Sequence, residues 1–237
     1  MDLKGAVCVV TGGSEGIGRA IAGALGARGA RLAICARTSG KVDAAVADLR
    51  KRGSTAWGAR CDVSDDRQVR DFADAVHREL GTVDVLVNNA GLGHLVPVED
   101  MSLAQFDETF AVNVRGVFLM TKAFLPDMKA KQAGTIVNIA SLAGRNPVQH
   151  LAAYAASKHA VLGFSKSLML EVRKHHIRVV TICPGTVVTD IFGKSAREIE
   201  RAEHKLLPED VAHTVVATIE AAGRAMISEL DIRPTNP

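Results

Sequence analysis

Aromatic side chains are scarce in this chain. It has one tryptophan, one tyrosine and seven phenylalanines in 237 residues. Any chemistry that needs a phenol therefore has to run through Tyr154. No CxxC pair occurs, and the four cysteines, Cys8, Cys35, Cys61 and Cys183, each stand in or beside a strand-like apolar run. That spacing excludes a zinc ribbon and a disulfide framework; the thiols read as small buried hydrophobes in a reducing compartment. No dense Lys/Arg run accompanies the net charge of +3, which excludes a dedicated nucleic-acid binder. The densest basic piece, Leu49-Arg50-Lys51-Arg52, suits the negative end of a helix dipole. No apolar run is long enough to span a bilayer, and Met1-Asp2-Leu3-Lys4 opens no signal-peptide pattern, so the expected location is cytoplasmic, with no membrane partner. There is no internal repeat and no low-complexity linker. The whole of 1–237 is expected to form one domain with a sizeable core.

What is present is an alternation. Short β-rich runs fall at 6–11, 31–36, 55–60, 83–88, 135–139, 178–183 and, weakly, 229–232. Helix-like stretches lie between them. Over 65–80, Val69, Phe72, Ala73 and Val76 recur at helical spacing. Ser102-Leu103-Ala104-Gln105 predicts a capping box, and Lys131-Gln132-Ala133-Gly134 predicts a helix ended by its glycine. Strands that are apolar without alternation, separated by helices, predict a parallel sheet covered on both faces. The expected fold is α/β: a doubly wound, Rossmann-like sheet of seven strands in a three-layer sandwich. Ligands of such sheets bind beyond the carboxyl ends of the strands.

Those ends carry the candidate chemistry. After the first strand comes TGGSEGIGRAIA, in which Gly12, Ser14, Glu15, Gly16, Ile17 and Gly18 form a turn into a helix. Free N–H groups and a positive dipole end would face a pyrophosphate there, and glycine permits its close approach. The spacing G-x-x-x-G-x-G departs from G-x-G-x-x-G. Glu15 brings a negative charge near the phosphates, which counts against NADP as the nucleotide. The second strand ends at Arg37, with no carboxylate before Asp43. A cation in that place accommodates the 2′-phosphate of NADP, whereas NAD calls for an acid. After the third strand, Asp62 and Val63 are candidates for the adenine, since Ser64-Asp65-Asp66 can start the next helix without Asp62. The fourth strand runs into NNAG, residues 88–91, which is either a cofactor contact or an ordinary turn.

The fifth strand ends at Ser141. Tyr154 and Lys158 follow at i and i+4 on a helix expected to begin near Ala152, so they share a face. A free phenol, with a pKa of about 10, is a poor acid or base at neutral pH. An ammonium beside it is expected to lower that value.

With these residues in order, the chain resembles the short-chain dehydrogenase/reductase family, in particular 3-oxoacyl-acyl-carrier-protein reductases. The resemblance covers almost the whole chain. It rests on TGGSEGIG, NNAG, Asn113 in VNVRG, Ser141, YAASK and PGTVVT. It implies that Tyr154 passes a proton to a ketone, or takes one from an alcohol. Lys158 would lower the phenol's pKa and bind the nicotinamide ribose, Ser141 would polarise the carbonyl, and Asn113 would support a water leading from Lys158 to solvent. Asn89 and Gly91 would line the ribose. In the loop opened by Pro184 and Gly185, Val187 would meet the carboxamide through its backbone and Thr189 would reach the phosphates. It further implies a homotetramer or homodimer and a small substrate lid at about 191–207. Fatty-acid reductases of the family finish with an Asp-Gly-Gly segment; this chain reads SELDIRPTNP instead.

A surface helix explains Ile199, Leu206 and Leu207 as well as a lid does. Lys194 and Arg197 read as a solvated face. His94, Leu95, Leu142, Arg145 and Gln149 are candidate pocket residues. His175-His176 reads as a helix end, and no metal is expected. The leading expectation is NADPH-dependent reduction of a small-molecule carbonyl. The alternatives are an NAD-dependent alcohol or 3-hydroxyacyl dehydrogenase, and a dinucleotide-sensing protein without turnover. A sugar-nucleotide epimerase would want more chain after the sixth strand.

Overall fold

A computed structural model describes residues 1–189, 191–192 and 205–235. Seven parallel strands form a single sheet in the order β3-β2-β1-β4-β5-β6-β7. They are β1 (Val7–Thr11), β2 (Arg31–Ala36), β3 (Thr55–Arg60), β4 (Val85–Asn88), β5 (Gly134–Ile139), β6 (Ile177–Pro184) and β7 (Glu229–Ile232). Among the described residues the α-helices are α1 (Gly16–Ala27), α2 (Ser39–Lys51), α3 (Asp66–Leu80), α4 (Leu103–Phe110), α5 (Gly116–Lys131), α6 (Ala152–Val172) and α7 (Pro208–Glu220). The strand order reverses between β1 and β4, which opens a crevice at their carboxyl ends.

Alternate residues of each strand feed two separate cores. On one face Cys8, Val10, Leu32, Ile34, Val85 and Val87 pack against Ile21, Leu25, Val42, Leu49, Val215 and Ile219 of α1, α2 and α7. On the other, Val7, Val9, Leu86, Ile136 and Val179 pack against Phe72, Met120, Phe124, Leu168 and Val172 of α3, α5 and α6. Over the central strands both faces are dry, so those strands show no polar alternation. All four cysteines are free and buried. Among the described residues no helix is long and apolar enough to cross a membrane, and no group of His, Cys, Asp or Glu could hold a metal ion.

The predicted caps form. Asp65 precedes α3 and accepts from the amides of Arg67 and Gln68, so the helix starts one residue later than expected. Ser102 and Gln105 complete their capping box at α4. One helix stop differs. Gln132, not Gly134, takes the left-handed position after α5, at φ 51°, and Gly134 begins β5. The Gln132 side-chain amide donates to the Lys129 carbonyl at 2.7 Å, beside the bond from its own backbone amide at 3.2 Å, which offsets the left-handed backbone.

Candidate active site

The glycine-rich turn leaves β1 and enters α1 with Gly12 and Gly16 at φ 64° and 50°, backbone that favours glycine. Gly18 is fixed by contact: a Cβ there would lie 2.3 Å from the Gly12 carbonyl oxygen and 2.4 Å from Asn89 Nδ2. Ser14, Glu15 and Ile17 fill the turn, and no side chain caps the first amides of α1. Thr189 overhangs them, with its methyl 3.4 Å from where a Gly16 Cβ would stand. Uncapped amides around a cradle that a Cβ would fill suit a dinucleotide pyrophosphate. Lys41, five residues past the β2 end, pairs with Glu15 at 2.7 Å and answers the charge that counted against NADP.

Asn89 is a clamp. Its amide nitrogen donates to the Thr11 carbonyl at 2.9 Å, while Thr11 Oγ1 accepts from the amides of Asn89 and Ala90. The Asn89 side-chain nitrogen is thereby committed to the turn. Sequence reasoning missed Thr11, although a threonine closing an otherwise apolar strand was visible. Asp62 Oδ1 accepts from the amide and hydroxyl of Ser64. Val63 buries its side chain against Gly116. Arg37 pairs with Glu108 of α4 at 2.9 Å, and its carbonyl accepts from Arg60 Nε at 3.0 Å.

Across the crevice the polar groups are buried. Asn113 sits in a π-helical turn, Ala111–Arg115, joining α4 to α5, a device frequent at functional sites. Its Oδ1 accepts from the Leu92 amide at 2.9 Å, and its Nδ2 donates to the Leu92 carbonyl and to Ser157 Oγ. Ser157 Oγ in turn donates to the Tyr154 carbonyl at 2.7 Å. Lys158 Nζ donates to the Ile139 carbonyl at 2.9 Å and stands 5.6 Å from the centre of the Tyr154 ring. A Cβ on Gly91 would lie 3.3 Å from Asn113 Oδ1 and 3.5 Å from Lys158 Nζ, so these two groups converge on that glycine. Ser141 stands close enough to the Tyr154 phenol to oppose the upward push on its pKa, and its Oγ accepts from the Ala143 amide at 3.1 Å. Ser141, Tyr154, Lys158 and Asn113 are thus brought together.

The electrostatics depart from expectation. Burial pushes the Tyr154 phenol up to about 12, with only the Ser141 hydroxyl opposing it. Burial likewise pulls Lys158 down to about 8. The reason is geometric: the ammonium bonds a backbone carbonyl and faces the tyrosine ring, while both groups have lost water.

At the pocket wall, Phe192 meets the Tyr154 ring edge-on at 5.2 Å. Gly93 makes room for both, since a Cβ there would come within 2.6 Å of Phe192 and 2.9 Å of Tyr154. His94 turns to Glu108 at 3.3 Å. Leu142 packs beside Cys183 and near Gly185, while Leu95 and Gln149 are exposed. Arg145 does not face the pocket. Its guanidinium lies on the Cys183 thiol and pairs with Glu229 at 2.5 Å and Asp231 at 2.9 Å, tying the segment after Ser141 to β7. Pro184 ends β6, the Gly185 amide donates to the Ile232 carbonyl, and Val187 bridges to Leu206. Of the expected lid, Ile191, Phe192 and 205–207 are placed; Lys194, Arg197 and Ile199 lie outside the described residues.

The family model for short chain dehydrogenases matches residues 6–200. The chain belongs to the short-chain dehydrogenase family. D-threitol dehydrogenase of Mycolicibacterium smegmatis is 41% identical over 193 residues, spanning 81% of this chain and 74% of that one. A metagenomic short-chain oxidoreductase in complex with NADP superposes over 100% of both chains with a TM-score of 0.87 and 38% identity. A variant of actinorhodin polyketide ketoreductase with NADPH covers 97% of this chain and 96% of its own, with a TM-score of 0.91 and 34% identity. Several relatives of this short-chain dehydrogenase carry dehydrogenase and reductase names, and the chain is an NAD(P)-dependent oxidoreductase.

Proposed function

We propose that this short-chain dehydrogenase reduces a ketone or 3-oxoacyl-type carbonyl to a secondary alcohol with NADPH. The observation that carries the reading is a buried Tyr154 phenol with the Ser141 hydroxyl acting on it and Lys158 Nζ 5.6 Å from the ring centre. A phenol pushed up to about 12 enters the reaction as an acid, which is the form that reduction requires. Ser141 and Tyr154 hold the carbonyl oxygen between two O–H groups. NADPH supplies the hydride when bound. As charge develops on the carbonyl oxygen, Tyr154 passes its phenolic proton to it. Lys158 stabilises the transient phenolate and binds ribose hydroxyls. Asn113, held by Leu92 and Ser157, supports the water route that returns a proton to Lys158.

The cofactor would lie along the crevice. The amides of Ser14, Gly16, Ile17 and Gly18, with Gly12, Glu15 and Thr189 around them, face the phosphates. Arg37 takes the 2′-phosphate, Asp62 and Val63 the adenine, Asn89 and Gly91 the ribose side, and Val187 in the Pro184-Gly185 loop the carboxamide. NADP is supported by Arg37 and by the bound NADP and NADPH of the two structural relatives. The oxidative direction is a second reading, favoured by the similarity to D-threitol dehydrogenase. The buried free thiols favour a cytoplasmic location. Exposed Leu103, Phe106 and Phe118 on α4 and α5, with Leu170 on α6, favour a second copy of the chain as partner, which light scattering would detect as a dimer or tetramer. Residues 1–237 act as one domain with a lid near 191–207.

The test measures NADPH and NADH consumption against a panel of acyl thioesters, sugars, steroids, quinones and keto-esters. On the best substrate, Tyr154→Phe is expected to lower kcat by about a thousandfold while NADPH still binds. Undiminished turnover by this variant would remove the proton donor from the reading.

A further inference from the structure

Three elements meet at the rim between the glycine-rich turn and the pocket. Arg37, past the end of β2, donates from Nη1 to Glu108 Oε1 at 2.9 Å. The other oxygen of Glu108, on α4, lies 3.3 Å from His94 Nε2. His94 directly follows Gly93, whose missing side chain makes room for the rings of Tyr154 and Phe192. One carboxylate therefore ties the cation at the expected 2′-phosphate position to the loop beside the phenol. Lys41, another cation of this rim, is held by Glu15. Arg60 turns its Nε to the Arg37 carbonyl, which holds the Arg37 backbone in place while its side chain stays free to choose a partner.

We propose that Glu108 is a cofactor-selecting residue: its carboxylate competes with a ribose 2′-phosphate for Arg37 and couples that position to the loop of Gly93 and His94. The inference rests on the reading of Arg37 as the 2′-phosphate contact. A guanidinium presents one fork, and a phosphate dianion engages it more strongly than a carboxylate. Binding a 2′-phosphate therefore breaks the Arg37–Glu108 pair and sets a second anion near Glu108. A nucleotide without that phosphate leaves the pair intact and strands no charge. Glu108 thus narrows the preference for phosphorylated nucleotide and is left with His94 as its partner when Arg37 turns away. By linkage, whatever biases the His94 loop biases the 2′-phosphate position equally.

Calorimetry of the full chain with adenosine 2′,5′-bisphosphate and with adenosine 5′-monophosphate tests this without turnover. Glu108→Gln is expected to tighten the bisphosphate about two- to fivefold, the range for an exposed ion pair, and to leave the monophosphate unchanged. The gain should vanish in an Arg37→Gln background. In amide NMR spectra the bisphosphate should shift Gly93 and His94 in the parent more than in Glu108→Gln. An equal gain for both nucleotides, no gain, or a gain that persists without Arg37 overturns the proposal. If Arg37→Gln binds the bisphosphate as the parent does, the assignment of Arg37 falls and takes this inference with it; loss there with no Glu108 effect removes the inference alone.

Discussion

At the β1–β3 end of the carboxyl edge, the candidate contacts are backbone amides, glycines and ion pairs in water. At the β4–β6 end they are side chains with almost no water. Arg37, Glu15 and Lys41 are 58%, 63% and 54% exposed, whereas Tyr154 and Lys158 are 6% and 4% exposed. Screened pairs contribute little stability and exchange partners readily. They suit a place where one anion must replace another. Desolvated groups have strongly displaced pKa values. They suit a place where a proton has to stay until the substrate arrives. Under the proposed function, one half would decide which nucleotide binds and the other when the proton moves.

The comparison breaks first at Gly18. An added methyl there meets the Gly12 carbonyl and the clamped Asn89 amide, neither of which can retreat. Gly18→Ala is expected to weaken NADPH more than a hundredfold and to cost about 3 kcal/mol of stability. Calorimetry and urea melts check this, and near-parental binding would mean the turn is softer than its contacts.

Lys158 tests the buried half. Its folded value of about 8 lies below the ordinary 10.5, so between these values the unfolded chain holds more protons and stability rises with pH. Below pH 8 the buried ammonium is a standing cost. Lys158→Met should therefore make the cofactor-free protein more stable by about 1–2 kcal/mol at pH 7, with the difference closing as pH approaches 10.5. Tyr154 shifts the other way, from 10 to about 12. Its contribution is present below pH 10, fades only between 10 and 12, and is common to both proteins. A gap that is constant from pH 7 to 10 would show that packing, not charge burial, sets it.

The smallest effect belongs to the exposed half. Arg37→Asp should raise the Kd for NADPH about tenfold and tighten NADH, removing a charge-assisted contact and supplying an acceptor for the ribose hydroxyl. Unchanged selectivity in paired binding titrations would place the 2′-phosphate elsewhere, with Arg60 and Lys41 the next groups to vary.

The strands were legible because both sheet faces are dry, which writes unbroken apolar runs into the chain; even the weak run at 229–232 pairs with β6. The caps at Asp65 and Ser102 were legible because they act within four residues. Gln132 was not, since its side-chain bond to Lys129 competes with a glycine signal two residues on. The convergence of Ser141, Tyr154 and Lys158 followed from strand ends and helical spacing. The direction of the tyrosine shift did not, because i, i+4 spacing reports proximity and says nothing about lost water. Arg145, close to Ser141 in sequence, was drawn to Glu229 and Asp231 by a strand more than eighty residues away.

By itself the sequence determined the order of strands and helices, the glycines of the turn and the spacing of the phenol and amine. All are local, or depend on which face of an element is apolar. Tertiary structure alone decided which carboxylate holds Arg37, that Asn89 clamps the turn, and how far burial moves Tyr154 and Lys158. Those outcomes depend on distances between segments far apart in the chain and on the water that packing removes, and neither quantity has a local signature.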